Sequence, residues 1–460
     1  MSVASVPYAA YGADAKLGNG VRTRTLVLGL GDTAQSVARW LARHGHSAMF
    51  VDSRPDADAG AITDVLPDAC VLKGFDEVDI DRFDQLIVSP GIPDTSPLLE
   101  RARNAGVPIL SDIAVFCREA IAPIVCVTGT NGKSTVVSLL SAMCQHANVT
   151  SAAGGNLGPP ALDLPMLDSE GVYLLELSSF QLQRTDNLIA HSACLLNVSP
   201  DHLDWHGSFE HYRNAKERIF NEAAYAVIDA DTPTPATIDS DTQVLRFSAH
   251  KPAGSRDFGI AEFAGEDHFM FGETPLLPVA DSALVGRHNH ANVLAALALG
   301  SSIDLPMSAM LRAVRSFAGL AHRHQHVATL QGVRWINDSK ATNCAAALAS
   351  VNAGVQQTVL LLGGRSKGED FVEFARALPD HVVSCVVYGE NADEVCDALS
   401  QAERACRRVS DLRAAVVHAA AVATSGQTVL LAPASASHDQ FLNFAERGTH
   451  FCALVQEHVE

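Results

Sequence analysis

Ile124-Val125-Cys126-Val127-Thr128-Gly129-Thr130-Asn131-Gly132-Lys133-Ser134-Thr135 is the stretch on which the architecture turns. An apolar, β-branched run ends on Thr128, two glycines follow, and Lys133 opens a segment of helical character. That order reads as strand, phosphate loop, helix. The glycines let backbone N–H groups close on an anion, Lys133 can reach the β- and γ-phosphates of a nucleotide, and the Ser134 hydroxyl can face Mg2+. Gly129 and Gly132 stand closer together than in the G-x-x-x-x-G-K-[ST] loop, so this is a shortened variant, and general kinase or motor readings lose ground.

Two further strand–glycine junctions flank it, Thr25 to Gly31 and Val359 to Gly364. Short β-branched runs alternate with amphipathic stretches along the whole chain, which predicts βα units on parallel sheets and an α/β fold. At roughly 150 residues per domain the length allows two to four domains, and boundaries are expected near Ser111 and Gly319. Gly29-Leu30-Gly31-Asp32-Thr33-Ala34 fits G-x-G-x-x-A after a strand, and Asp52 closes the next strand about 20 residues on. This pattern fits a diphosphate ligand at a helix N-terminus, either a dinucleotide or a UDP-sugar, and equally a tight turn with no ligand.

Chemistry-bearing residues follow the central loop. Glu176 sits inside the apolar run Val172-Tyr173-Leu174-Leu175. A buried carboxylate needs a partner, and either Mg2+ beside the phosphates or a salt bridge would supply one. The strand read over Ala193 to Val198 delivers Asn197-Val198-Ser199-Pro200-Asp201-His202, with His202 at the carboxyl end where α/β enzymes place chemistry. A helix is predicted over Phe209 to Asn221. Its spacing puts Tyr212, Lys216, Ile219 and Phe220 on one buried face. A lysine there either snorkels outward or loses its charge; a neutral amine can capture CO2 as a carbamate, which binds Mg2+.

Composition narrows the function classes. Apolar residues make up 47%, and 33 basic against 52 acidic side chains give a net charge of −19. This balance speaks against broad binding to nucleic acid or to a membrane surface. Met1 to Gly20 does not read as a signal peptide. No apolar run approaches the length of a membrane span, since Ala414 to Ala423 is short and broken by His418. The ten cysteines are scattered without a C-x-x-C pair, which fits reduced thiols in a cytoplasmic protein.

Taken together, the motifs resemble those of the Mur ligases. The resemblance rests on the loop Thr128 to Thr135, Leu175-Glu176-Leu177-Ser178-Ser179-Phe180-Gln181, Asn197 to His202, and Tyr212-Arg213-Asn214-Ala215-Lys216. It extends through Gly286 to Asn292, His322-Arg323, Ile336-Asn337-Asp338-Ser339-Lys340-Ala341-Thr342-Asn343, Gly363 to Lys367, and Leu431 to Phe444, nearly the whole chain. His438 stands where the family commonly has leucine.

The resemblance implies three domains: a Rossmann-like N-terminal domain over 1–111, a central P-loop ATP-binding domain with a parallel sheet over 112–319, and a C-terminal Rossmann-like domain over 320–460. It implies an enzyme that uses ATP to join D-glutamate to UDP-N-acetylmuramoyl-L-alanine through an acyl phosphate, in peptidoglycan precursor synthesis. Gly129, Thr130, Asn131, Gly132, Lys133, Ser134, Thr135, Asn289, Asn292, Arg323 and Asp338 would handle ATP. Gly31, Asp32, Thr33, Asp52, Ser53, Arg54, Gly91, Asn156, Ser178 and Gln181 would meet the UDP substrate. Thr342, Lys367, Ser437 and Phe444 would receive D-glutamate. Two Mg2+ would be held by Ser134, Glu176, His202 and Lys216, the last as a CO2-derived carbamate; Lys133, Lys216 and His202 would be the catalytic set. Partners would be these small molecules alone, with no nucleic acid and no membrane, and the chain would act as a cytoplasmic monomer. Competing readings are a sister ligase adding L-alanine or a diamino acid, more distantly a folate polyglutamylating ligase, a nicotinamide-dependent oxidoreductase resting on the Gly29 loop, and a non-catalytic nucleotide-binding regulator.

Overall fold

The computed structural model describes residues 14–16, 22–54, 57–75, 78–317, 319–366 and 368–457. They form two compact units, Met1–Leu277 with Leu294–Ala313, and Pro278–Val293 with Val314–Glu460.

The first unit carries two sheets. One is built from β1 (Asp14–Lys16), β2 (Arg22–Leu28), β3 (Met49–Asp52), β4 (Cys70–Lys73), β5 (Gln85–Val88) and β6 (Ile109–Leu110). Its order is β4-β3-β2-β5-β6, all parallel, with β1 antiparallel on β2. The other contains β7 (Ile124–Thr128), β8 (Ser151–Gly155), β9 (Val172–Glu176), β10 (Ile189–Leu195), β11 (Glu222–Asp229), β12 (Gln243–Phe247), β13 (Phe258–Phe263), β14 (Glu266–Phe271) and β15 (Thr274–Pro278). The order is β15-β14-β13-β12-β11-β10-β7-β9-β8. β7 and β9 are buried at every position, as expected of parallel strands covered on both faces.

An apolar cluster joins these two sheets, holding Val27 and Phe50 from one, Leu41 from the helix Asp32–Arg43, and Ile124, Tyr173 and Leu175 from the other. Polar ties reinforce it. Arg39 grips Asp163 with two hydrogen bonds of 2.9 and 2.6 Å, and Trp40 Nε1 donates to Glu119 at 2.8 Å. The helix Asp32–Arg43 is thus tied to the segments around Glu119 and Asp163.

The second unit holds β16 (Gln325–Leu330), β17 (Val333–Asn337), β18 (Thr358–Gly363), β19 (Val382–Tyr388), β20 (Cys406–Arg408) and β21 (Thr428–Leu431), in the order β16-β17-β21-β18-β19-β20. β16 runs antiparallel to β17 and the rest are parallel. In β18, Leu360 and Leu362 enter one core while Val359 and Leu361 enter the other, the alternation of a strand with apolar layers on both sides.

Two elements differ from the sequence reading. The strand expected over Ala193 to Val198 runs instead over Ile189–Leu195. The helix expected to reach Asn221 is α-helical only over Phe209–Glu217 and tightens to 3-10 over Arg218–Phe220. Among the described residues, no helix is long and apolar enough to cross a membrane.

Candidate active site

Register in the second sheet builds the centre of the site. Val127 pairs with Glu176, and Thr128 pairs with Leu195, so the carboxyl ends of β7, β9 and β10 lie side by side. The chain leaves β7 through Gly129 (φ +153°) and Gly132 (φ +88°) into the helix Lys133–Ala147. Gly132 adopts a left-handed conformation that a side chain would strain. The first turn of that helix carries no acidic residue, which leaves its partial positive charge for an anion.

Asn197, just beyond β10, pins this loop. Its Oδ1 accepts from Asn131 N–H at 2.9 Å, its Nδ2 donates to Asn131 C=O at 3.0 Å, and its carbonyl accepts from Thr130 N–H at 2.9 Å. Lys133 turns back and donates to Gly129 C=O and Thr130 C=O at 2.8 and 2.9 Å. These carbonyls hold the ammonium over the mouth of the loop, where phosphate oxygens would compete for it.

Ser134 Oγ donates to Glu176 Oε2, and Asn156 Nδ2 donates to Glu176 Oε1 at 2.7 Å. Asn156 N–H also bonds the Glu176 carbonyl at 2.8 Å. A buried carboxylate and a hydroxyl side by side form an all-oxygen donor pair suited to a hard divalent cation. Among the described residues no group of three or more His, Cys, Asp or Glu is arranged to hold a metal alone, so this pair would need phosphate and water oxygens to complete a shell.

Lys216 lies under the loop at 2% exposure, and its Nζ donates to Gly129 C=O at 3.0 Å, 4.6 Å from the Tyr212 ring centre. Tyr212 OH in turn meets Thr130 Oγ1 at 3.1 Å. Burial holds the Lys216 amine well below the usual lysine range, and the nearby Lys133 charge acts the same way against the pull of Asp201 and Glu176. His202 occupies a left-handed conformation (φ +53°) between Asp201, 3.8 Å from its Nε2, and the Phe180 ring at 5.0 Å. Ser178 caps the short helix Ser179–Leu182 and shares a capping box with Gln181.

In the first sheet, Gly29 (φ +96°) and Gly31 shape the turn from β2 into the helix Asp32–Arg43. A Cβ on Gly29 would come within 2.6 Å of Ser89 Oγ. Asp52, at the end of β3, accepts from Leu30 N–H at 3.1 Å and from Arg54 through N, Nε and Nη2 at 2.9, 3.0 and 2.9 Å. The Arg54 contact holds the Asp52 carboxyl below its usual range. Asp32 places a negative charge in the first turn of the helix, with Thr33 next to it and Ser53 and Gly91 exposed nearby in sequence to Asp52 and Ser89.

In the second unit, the carboxyl ends of β17, β21 and β18 are adjacent. Asp338 to Thr342 leave β17, and Ala434 N–H bonds Ala341 C=O at 2.9 Å. Arg365 and Ala436 exchange hydrogen bonds of 2.9 and 3.0 Å, which sets Ser437 beside the segment that leads to Lys367. Lys367 itself lies outside the described residues. Phe444 carries Lys340 Nζ over its ring at 4.2 Å, and its carbonyl accepts from Ser339 Oγ at 2.8 Å. Asn292 Nδ2 donates to Asn289 Oδ1 at 3.3 Å, and Asn289 Nδ2 donates to Val285 C=O at 2.9 Å. Arg323 stands between His322 (φ +62°) and His324 (φ +45°), two left-handed non-glycine residues.

Sequence reasoning missed the bracing role of Asn197 and the Asn156–Glu176 bond. A carboxamide directly past a strand end was the available signal for Asn197; nothing local pointed Asn156 at Glu176. It also missed Arg447, 1% exposed, which donates to Ser339 Oγ at 2.9 Å, Ser339 C=O at 2.8 Å and Ser435 C=O at 3.2 Å.

Comparison with known proteins matches this arrangement part by part. The N-terminal domain described as Mur ligase MurD-like covers residues 23–111, the Mur ligase middle domain 127–300, and the Mur ligase glutamate ligase domain 322–435. The chain is 41% identical over 442 residues to the UDP-N-acetylmuramoylalanine--D-glutamate ligase of Nitrosococcus oceani, covering 95% of this chain and 97% of that protein. It is 42% identical over 439 residues to the protein of that name from Pseudomonas aeruginosa, with 94% and 97% covered. Among solved structures, the UDP-N-acetylmuramate-alanine ligase MurC of Thermotoga maritima shares the fold, with a TM-score of 0.61 at 18% identity, covering 95% of this chain and all of that one. The three matched domains fall on the three sheets, and the full-length relatives leave one conclusion: the chain belongs to the Mur ligase family.

Proposed function

We propose that the chain ligates D-glutamate to UDP-N-acetylmuramoyl-L-alanine at the expense of ATP, through an acyl phosphate, in peptidoglycan precursor synthesis. The observation that carries this reading is the loop in which Lys133 is poised over carbonyls while Ser134 and a fixed Glu176 form an oxygen pair beside it. The names of the full-length relatives supply the substrates. We assign residues 1–111 to the UDP moiety, 112–319 to ATP and 320–460 to the amino acid.

A carboxylate resists attack by an amine because its charge and resonance repel the nucleophile. Transfer of the γ-phosphoryl group to the muramoyl-alanine carboxylate removes that charge and releases ADP. Loop amides and Lys133 bind the phosphates, Lys133 exchanging its two carbonyl acceptors for phosphate oxygens. Mg2+ between Ser134 and Glu176 would offset the charge that gathers on the transferred group. Asn156 fixes the Glu176 carboxylate, and Ser178, Gln181 and His202 approach the muramoyl substrate. The D-glutamate amine then attacks the acyl carbon, the C–O bond to phosphate breaks and the amide forms; Thr342, Lys367, Ser437 and Phe444 receive D-glutamate. The buried, weakly basic Lys216 amine fits capture of CO2 as a carbamate, an anion able to join His202 at a second Mg2+.

Phosphate release tests the reading in a panel of UDP-N-acetylmuramoyl-L-alanine with D-glutamate, L-glutamate, L-alanine or diaminopimelate. Release confined to D-glutamate is expected; no release with D-glutamate overturns the assignment. The carbamate is checked separately by 13C NMR with labelled CO2, where absence of an adduct at Lys216 removes it.

A further inference from the structure

Arg184 is a buried cation that the proposed reaction does not use. It stands just past the helix Ser179–Leu182, is 7% exposed, and reaches across to the loop that leaves β5. Its Nη1 donates to Ser89 C=O at 3.3 Å and its Nη2 to Ile92 C=O. Its Nε and Nη2 also meet Asp94 Oδ1 at 3.1 and 2.8 Å. Gln183 Nε2 donates to Asp94 Oδ2, and Arg103 donates to Asp94 Oδ1 and to its carbonyl, each at 3.0 Å. One guanidinium thus clamps both ends of the turn Ser89-Pro90-Gly91-Ile92. Ser89 in turn packs on the Gly29 turn, where an added Cβ would lie 2.6 Å from its Oγ.

A second attachment lies beside the first. The Arg184 carbonyl accepts from Ser111 N–H at 3.2 Å, and Ser111 Oγ meets Thr185 Oγ1 at 2.6 Å. Ser89 follows β5 and Ser111 follows β6, its parallel neighbour. The segment from Gln183 to Thr185 is therefore fastened to the first sheet at two points. One point alone would leave a pivot; two fix an orientation. Each partner keeps bonds of its own that do not involve Arg184. Ile92 N–H closes the turn on Ser89 C=O at 3.1 Å, Ser89 N–H bonds Leu28 C=O at 3.0 Å, and Ser178 and Gln181 form their capping box.

We infer that Arg184, held by Asp94, is a positioning residue that fixes the span between the glycine turns of the first sheet and the segment from Ser178 to Gln181. The span selects a ligand long enough to engage both, a nucleoside diphosphate whose sugar carries an acid-bearing arm. This rests on the proposed reading in which Gly31 and Gly91 meet the UDP moiety while Ser178 and Gln181 approach the muramoyl end. A ligand held at two places gains affinity over one end alone only while those places stay at its own length. Arginine suits the role because its planar fork meets three acceptors in fixed directions, which a lysine ammonium does not. Arg184 touches no substrate and acts through the turn and the helix alone.

The test is titration calorimetry on the full chain with UDP and with UDP-N-acetylmuramoyl-L-alanine, for wild type, Arg184→Met and Asp94→Asn, beside KM for ATP from phosphate release. Arg184→Met is expected to weaken the complete precursor about 5- to 20-fold while UDP alone stays within about 2-fold and KM for ATP is unchanged. Asp94→Asn keeps the carbonyl contacts of Arg184 and loses the charge pair, so a smaller loss of about 2- to 5-fold is expected for the precursor alone. Unchanged precursor affinity in Arg184→Met overturns the proposal. So does an equal loss for UDP, which would mean that Arg184 only shapes the turn at Gly91. Removing one partner of a buried ion pair is costly; if Arg184→Met does not fold, Asp94→Asn decides, and wild-type affinity for the precursor there refutes the span. A wild type that does not bind the precursor sinks the substrate reading, and the proposal with it.

Discussion

Asp112 makes the structure's strongest statement about pH. It opens the helix Asp112–Cys117 at 2% exposure, and its Oδ1 has no hydrogen-bond partner among the described residues. Burial, which disfavours the charged form, moves its pKa from 3.8 to about 6. A carboxyl whose pKa rises on folding holds its proton more tightly folded than unfolded. Its contribution is therefore fully present below the unfolded value and is lost as pH rises through about 6. The full span corresponds to about 3 kcal/mol at 1.36 kcal/mol per unit. Between about pH 7.5 and pH 5 the wild type should gain about 1.4 kcal/mol from this group. Asp112→Asn has nothing to titrate there, so the difference in unfolding free energy between wild type and variant should shift by that amount toward wild type on acidification. The measurement is urea unfolding in a Trp335→Phe background, so that emission comes from Trp40 and Trp205 in the same unit as Asp112. Taking the difference between the two proteins cancels every other titrating group. A difference that stays constant between the two pH values, or moves the other way, refutes the burial argument.

Three other perturbations follow from the geometry. Lys133→Ala removes the cation over the phosphate loop and should lower kcat for phosphate release by at least ~10²-fold with all substrates saturating; full turnover would remove the ATP assignment. Asp32→Asn takes a negative charge out of the first turn at the Gly29 loop, and if that loop receives the diphosphate, KM for the UDP precursor should fall about 2- to 5-fold at low salt, measured by initial rates. Arg447→Met strands the Ser339 and Ser435 carbonyls and should cost about 2–4 kcal/mol of stability, read from the emission of Trp335, whose ring packs near Phe451; a variant as stable as wild type would show that those carbonyls find other donors.

How much of this was legible in the sequence depends on the range of the interaction. The strand–glycine–helix junctions were readable because their causes are local: buried β-branched runs, and glycines where φ turns positive at Gly29, Gly129 and Gly132. The face carrying Tyr212, Lys216, Ile219 and Phe220 was readable too. All four are at most 2% exposed although the helix tightens after Glu217, since the 3-10 winding covers only Arg218–Phe220 and displaces the face little over one turn. The α/β architecture followed from the same alternation of elements.

Long-range partners account for what the sequence hid. The start of β10 escaped because His191 and Ser192 interrupt the apolar run. In the fold, Ser192 Oγ meets Ser302 Oγ at 2.6 Å and His191 Nε2 meets the Ser302 carbonyl at 2.8 Å, partners 110 and 111 residues away. A polar residue inside a strand weakens the strand reading only while its partner is unknown; once satisfied, it is as much part of the core as a valine. The same holds for Asn156 with Glu176, for Arg447 with Ser435, and for Ser350 with His324. A motif records the residues that face a ligand, because those must recur at fixed spacing around one loop. The residues that hold them in place come from whichever element passes behind, and no spacing rule ties that element to the motif. The sequence could therefore name Glu176 as an expectation, but only the register of β8 on β9 shows that Asn156 keeps it aimed.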